Sequence, residues 1–154
     1  MEREFAMTFL GKPVEAASEK RWELSARLVI YGFECAPEEI TRVLGINPDE
    51  TWRKGDLRGE RPVKPSGDSG WVIASSSSDR VRLEPHIVSV LEKVSSVDRL
   101  RDLPPESKRY LSCEVTTLEG TSGPDITISP TILSRLAEIG AELSIDSYFL
   151  GSDD

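Results

Sequence analysis

"YLSCEVTTLEG", residues 110–120, decides the fold. Leu111, Cys113 and Val115 fall on one side of an extended chain, and Ser112, Glu114 and Thr116 on the other. A period of two with one apolar set marks a half-buried strand. Strands of a doubly covered parallel sheet are apolar on both sides. This stretch therefore predicts a sheet with one packed face and one wetter face. "AELSIDSYFL" (141–150) repeats the pattern, with Leu143, Ile145 and Phe149 at alternate positions.

Two earlier strands join these. "SARLVIYGF" (25–33) is β-branched and aromatic, and "GWVIASS" (70–76) follows it. Tyr31 and Tyr148 read as sheet residues open to the wetter face. Helices stand between the strands, each started by a proline. They are expected near 37–44, 84–95 and 130–139. Glu38 and Glu39 suit the first helix start, and Gly45 its left-handed stop. The second helix carries Leu83, Ile87, Val90, Leu91 and Val94 on one stripe and frays through "SSVDRLRDL". Ser129 caps the third, and Gly140 stops it.

Alternating strands and helices usually indicate a parallel α/β sheet. The half-buried strands overrule that here. The expected class is α+β: a single, mostly antiparallel sheet of four to five strands with helices mainly on one face. A ferredoxin-like sandwich with an extra helix is the topology that fits. Residues 1–22 read as an N-terminal extension, 23–150 as a single domain and 151–154 as an acidic tail.

At 154 residues one domain is expected, large enough to build a core without staples. Cys35 and Cys113 are the only cysteines and lack CxxC spacing, so both are expected free. No window approaches 18 apolar residues, so no membrane span is expected. Glu2 and Glu4 stand where a signal peptide carries positive charge, so a cytoplasmic protein is expected.

Familiar catalytic patterns are missing. No GxGxxG, GxxxxGK[ST], HExxH, EF-hand or GxSxG stretch occurs. His86 is the only histidine and reads as a satisfied surface or capping residue. No catalytic residue, metal site or cofactor is expected, and the chain reads as a non-enzyme.

Charge is unevenly spread over a chain of net −8. "TWRKGDLRGERPVKP" (51–65) holds Arg53, Lys54, Arg58, Arg61 and Lys64 against Asp56 and Glu60. From Tyr110 onward the only base is Arg135, facing eight acids. The basic stretch is broken by Gly and Pro and reads as loop. A nucleic-acid site is one reading of it, but the patch is small and the surrounding charge repels phosphate, so none is expected. The other readings are a cover over the protein's own acidic side and a socket for a partner's acidic groups. Trp52, Arg53, Lys54, Asp56 and Trp71 are the candidate binding residues. Both tryptophans also fit a core role.

The order of landmarks resembles the bacterial family known as domain of unknown function 4279. The pieces are Pro37 to Ile46, the corner from Pro48 to Asp56, Gly70 with Trp71, and Ile145 to Tyr148. The resemblance covers roughly residues 26–149 and brings no established activity. It implies kinship with proteins found among toxin–immunity gene sets. The resulting expectation is a small acidic binding protein with a protein partner, in its most concrete form an immunity-type inhibitor of a basic toxin. The alternatives are a small-molecule sensor, with ligand between the wetter face and the 51–65 loop, and an unrecognised enzyme acting on an anionic substrate.

Overall fold

The computed structural model describes residues 22–58, 64–94, 97–118 and 123–150. Of the expected N-terminal extension only Trp22 is described, and the expected acidic tail lies outside the described residues.

The central strand β1 spans Trp22–Tyr31. Helix α1 (Pro37–Leu44) follows, with Pro37 in its first turn and Gly45 at φ 69° as its stop. The Gly45 N–H donates to the Thr41 carbonyl at 2.8 Å, the left-handed ending the sequence predicts. Three short strands occupy the basic stretch and its approach: β2 (Glu50–Trp52), β3 (Leu57–Arg58) and β4 (Lys64–Pro65). β5 (Gly70–Ala74), α2 (Glu84–Lys93), the four-residue α3 (Val97–Leu100), β6 (Lys108–Leu118), α4 (Pro130–Glu138) and β7 (Glu142–Leu150) complete the chain. The Ser129 side chain accepts from the Ile132 N–H to cap α4.

The main sheet has five strands in the order β2-β5-β1-β6-β7. β1 is antiparallel to both β5 and β6, and β2 is antiparallel to β5. β6 and β7 are parallel. The α+β class stands, but the sheet is mixed rather than mostly antiparallel. The cause is local: α4 carries the chain from the end of β6 back to its start, so β7 must run the same way. The order also differs from a ferredoxin-like sandwich, because β1 and β6 meet antiparallel at the centre and the parallel pair stands at the edge.

Register assigns every strand residue to a face. One face carries Ile73, Leu28, Leu111 and Leu143 in one row, and Ala26, Cys113 and Ile145 in the next. Ile30, Trp71 and Val115 share it, and all but the β7 residues are buried. They form one apolar cluster with Ile40 and Leu44 of α1, Ile87, Val90 and Leu91 of α2, Leu100 of α3, and Ile132 and Leu136 of α4. The described helices therefore all pack on one face. Polar bonds tie them together. Arg99 donates to the Leu44 carbonyl at 3.0 Å, and the Glu84 carboxylate accepts from the Ser129 N–H at 2.6 Å. No described helix is long and apolar enough to cross a membrane.

Candidate functional site

The opposite face of the sheet carries no described helix. Its central row runs Glu50, Val72, Val29, Tyr110, Glu142 across all five strands. The next row holds Trp52, Gly70, Tyr31 and Lys108. Val29 and Val72 are buried yet stand outside the helix-side cluster, so they form the apolar floor of this second face.

Trp52 lies flat on the backbone of Gly70. A Cβ added to Gly70 would collide with the six-membered ring of the indole. Only a residue without a side chain admits that contact. Beside it Tyr31 and Tyr110 meet edge to face, ring centroids 5.6 Å apart at 74°, a favourable aromatic geometry. Val29, Tyr31, Trp52, Tyr110 and the segment Ser66–Asp68 line a cleft of about 430 Å³. It is aromatic on the sheet side and polar on the rim.

The corner that leads into the cleft is held by its own hydrogen bonds. The Asp56 carboxylate accepts from the Arg53 N–H at 2.8 Å. Ser69 Oγ accepts from the Lys54 N–H at 2.9 Å. Gly55 N–H donates to the Ser66 carbonyl, and Ser66 N–H to the Asp56 carbonyl. β3 and β4 then pair as a two-residue ladder. The Arg53 guanidinium reaches Glu38 on α1 at 2.6 Å, with both side chains largely exposed. Within the stretch read as loop, Thr51, Trp52 and the pairs at 57–58 and 64–65 are thus strand. Arg61 lies outside the described residues.

The candidate binding residues separate. Trp52 enters the cleft. Trp71 is wholly buried on the helix side, where its indole N–H donates to Thr41 Oγ1 at 3.0 Å. Asp56 shapes the corner, Arg53 leans on the protein's own acidic helix, and Lys54 is exposed. Tyr110, Val29 and Ser66–Asp68 were not singled out in the sequence. For Tyr110 the signal was present: two positions before Ser112, it shares the wetter side of its strand.

Electrostatics favour cations across the open face. Register places Glu23, Glu50, Glu114, Glu142 and Asp146 there, against Arg27 and Lys108 among the described residues. Arg27 pairs with Glu50 at 3.5 Å. Glu114 and Asp146 are register neighbours and both exposed.

His86 is not at the surface. It is 3 % exposed in the first turn of α2. Its Nε2 lies 2.7 Å from the Asp79 carbonyl, and its Nδ1 3.3 Å from Ser75 Oγ. A carbonyl only accepts, so Nε2 carries a proton and donates to it. The Asp79 carboxylate in turn accepts from the Val81 and Arg82 N–H groups at 2.9 and 2.7 Å. Burial pushes the Asp79 carboxyl up, but those bonds and the Arg82 charge outweigh it and hold the group below the usual carboxylate range. Ser75, His86 and Asp79 thus tie the exit of β5 to α2. Cys35 and Cys113 are free thiols, and burial pushes Cys113 up to about 12.

The profile of a family described as domain of unknown function (DUF4279) matches residues 22–150. No curated protein and no solved structure matches the chain.

Proposed function

We propose that this chain, which belongs to the DUF4279 family, is a non-catalytic binding protein whose recognition surface is the open face of its sheet. The occupant is a basic protein surface, and an immunity-type inhibitor that covers a basic toxin is the specific form favoured. One observation carries the reading: Trp52, Tyr31 and Tyr110 are gathered around one cleft, on a face where, among the described strand residues, five carboxylates stand against two bases. Large, stiff aromatic side chains are the typical anchors of protein interfaces. A field of one sign speeds encounter with a partner of the other. The chain's only histidine engages both ring nitrogens internally, which leaves it unsuited to proton transfer with a substrate. The acidic face also disfavours a nucleic-acid partner.

A second reading keeps the same site. A cleft of about 430 Å³ falls in the range that small ligands occupy, so a small-molecule sensor is the alternative. The enzyme reading has less support, because Arg53 and Asp56 are engaged in the corner itself.

Pull-downs from a native lysate test the proposal with three baits: the parent chain, Glu114→Lys with Glu142→Lys and Asp146→Lys, and Trp52→Ala with Tyr110→Ala. A basic protein retained by the parent at low salt, released by added salt and lost from both variants is the expected result. Retention of the same proteins by all three baits would refute it. Loss of a small fluorescent or mass-detected ligand from the aromatic variant alone, indifferent to salt, would favour the sensor.

A further inference from the structure

β7 differs from the other four strands of the main sheet. All nine of its residues are exposed, although it lies hydrogen-bonded along β6 over its whole length. It stands at the sheet edge. Its outer backbone groups are a template for another strand. Natural edges are usually short, charged or broken by proline; this one is long and free of proline and, beside Glu142 and Asp146, carries Leu143, Ile145, Tyr148, Phe149 and Leu150. The opposite edge, β2, has only three residues.

We infer that β7 pairs with β7 of a second copy of this chain, antiparallel across a twofold axis at Ser147, to form one continuous ten-stranded sheet. Among axes centred on Ile145, Asp146 and Ser147, register favours the last. A twofold perpendicular to the sheet keeps each residue opposite one of the same face. Centred on Asp146, it would set two carboxylates directly opposite each other, which destabilises a ladder. Centred on Ile145, it would leave Phe149 and Leu150 beyond the paired segment. Centred on Ser147, it sets Ile145 against the other copy's Phe149 twice on the helix side. On the open side it sets Asp146 against Tyr148, and Ser144 against Leu150.

The area decides the strength. The five apolar side chains are between 36 and 76 % exposed. With roughly 200 Å² for each large side chain, they offer on the order of 500 Å² per copy. A standard stable interface removes about 800 Å² from each partner. The dimer is therefore modest in affinity, and the net −8 of each chain opposes it. Added salt screens that repulsion, so self-association strengthens with ionic strength. A basic partner strand on the same edge would show the opposite dependence. Both open faces point the same way in this dimer, and both aromatic clefts remain uncovered.

Sedimentation of the full chain up to 500 µM, at 50 and 500 mM NaCl, provides the first test. The expected result is a monomer–dimer equilibrium with a dissociation constant about threefold lower at high salt, lost in Phe149→Lys. Ser147→Cys gives the second test and does not rely on the lysine variant folding. Antiparallel partners have Cα atoms about 4.5–5.5 Å apart, within disulfide reach. Mild oxidation should cross-link Ser147→Cys, and neither the parent nor Ile145→Cys should respond alike. A monomer under both conditions, a dimer weakened by salt, a dimer kept by Phe149→Lys, or failure of Ser147→Cys to cross-link would each overturn the inference.

Discussion

Gly70→Ala should destabilise the protein when Trp52 is present and stabilise it when Trp52 is absent. The added methyl group collides with the indole ring, so the ring must leave its seat. The contact covers roughly 100 Å² of apolar surface, worth about 2.5 kcal/mol at about 25 cal/mol per Å². Against this, alanine is better than glycine in a strand by roughly 0.5–1 kcal/mol. Gly70 is not among the positive-φ glycines, so its backbone accepts the side chain. The net cost in the parent is about 1.5–2 kcal/mol, or roughly 3–8 °C in Tm for a domain of this size. With Trp52→Ala already in place the three nearest obstacles are gone, and the gain is expected to survive. Urea unfolding followed by circular dichroism reads all four corners of the cycle without relying on tryptophan emission. The expected coupling is about 2–3 kcal/mol, with a change of sign between backgrounds. An equal effect of Gly70→Ala in both backgrounds would show that the indole is not seated on this glycine, and the cleft would lose its wall.

His86→Ala should lower stability by about 1–3 kcal/mol, because it leaves the Asp79 carbonyl and Ser75 Oγ without their partner in a mostly buried setting; binding to the open face, on the other side of the sheet, should be unchanged in an affinity measurement. Asp79 has a depressed folded pKa, so its contribution is present above the unfolded value of about 3.9 and fades as pH falls through the lower folded one. Tm measured from pH 6 to pH 2.5 should therefore drop less steeply in Asp79→Asn than in the parent. In the native protein a thiol reagent should label Cys35 and spare the buried Cys113 until denaturant is added, with intact mass showing no loss of two hydrogens.

The helices were legible because their boundaries are chemical. Pro37, Pro85 and Pro130 sit where a missing N–H costs nothing, and Gly45 supplies the left-handed ending. The one-sided sheet was legible from the alternation in 110–118, which also places Tyr110 on the wetter side. The parallel edge was not legible. Alternation states which residues are buried together but not which way the next strand runs. The short strands at 50–52, 57–58 and 64–65 escaped for a different reason. They are held by turn bonds among Arg53, Asp56, Ser66 and Ser69, and two or three residues are too few to show a period. The basic stretch stands out by its charge, whereas among its described residues only Trp52 reaches the cleft. Its neighbours there, Tyr31 and Tyr110, lie far off in sequence and meet only through the register of β1 and β6. Trp71 shows the converse: a tryptophan one residue from Gly70, turned to the opposite side by the pleat.

The central position of β1 bears on how the chain acquires its shape during synthesis. β1 emerges first among the described strands, but Tyr31 must wait for Gly70 and Trp22 for Thr117. Neither flank of the strand can close locally, and each closure carries the entropy of a long loop. Until β6 has left the ribosome, the apolar run Leu28–Ile30 lacks the water-free setting it will later have on both sides. A nascent chain of this kind is exposed to aggregation for most of its elongation. Substitutions that weaken β6 should therefore show first as lower yield of soluble protein, before any change in the properties of the molecules that do fold.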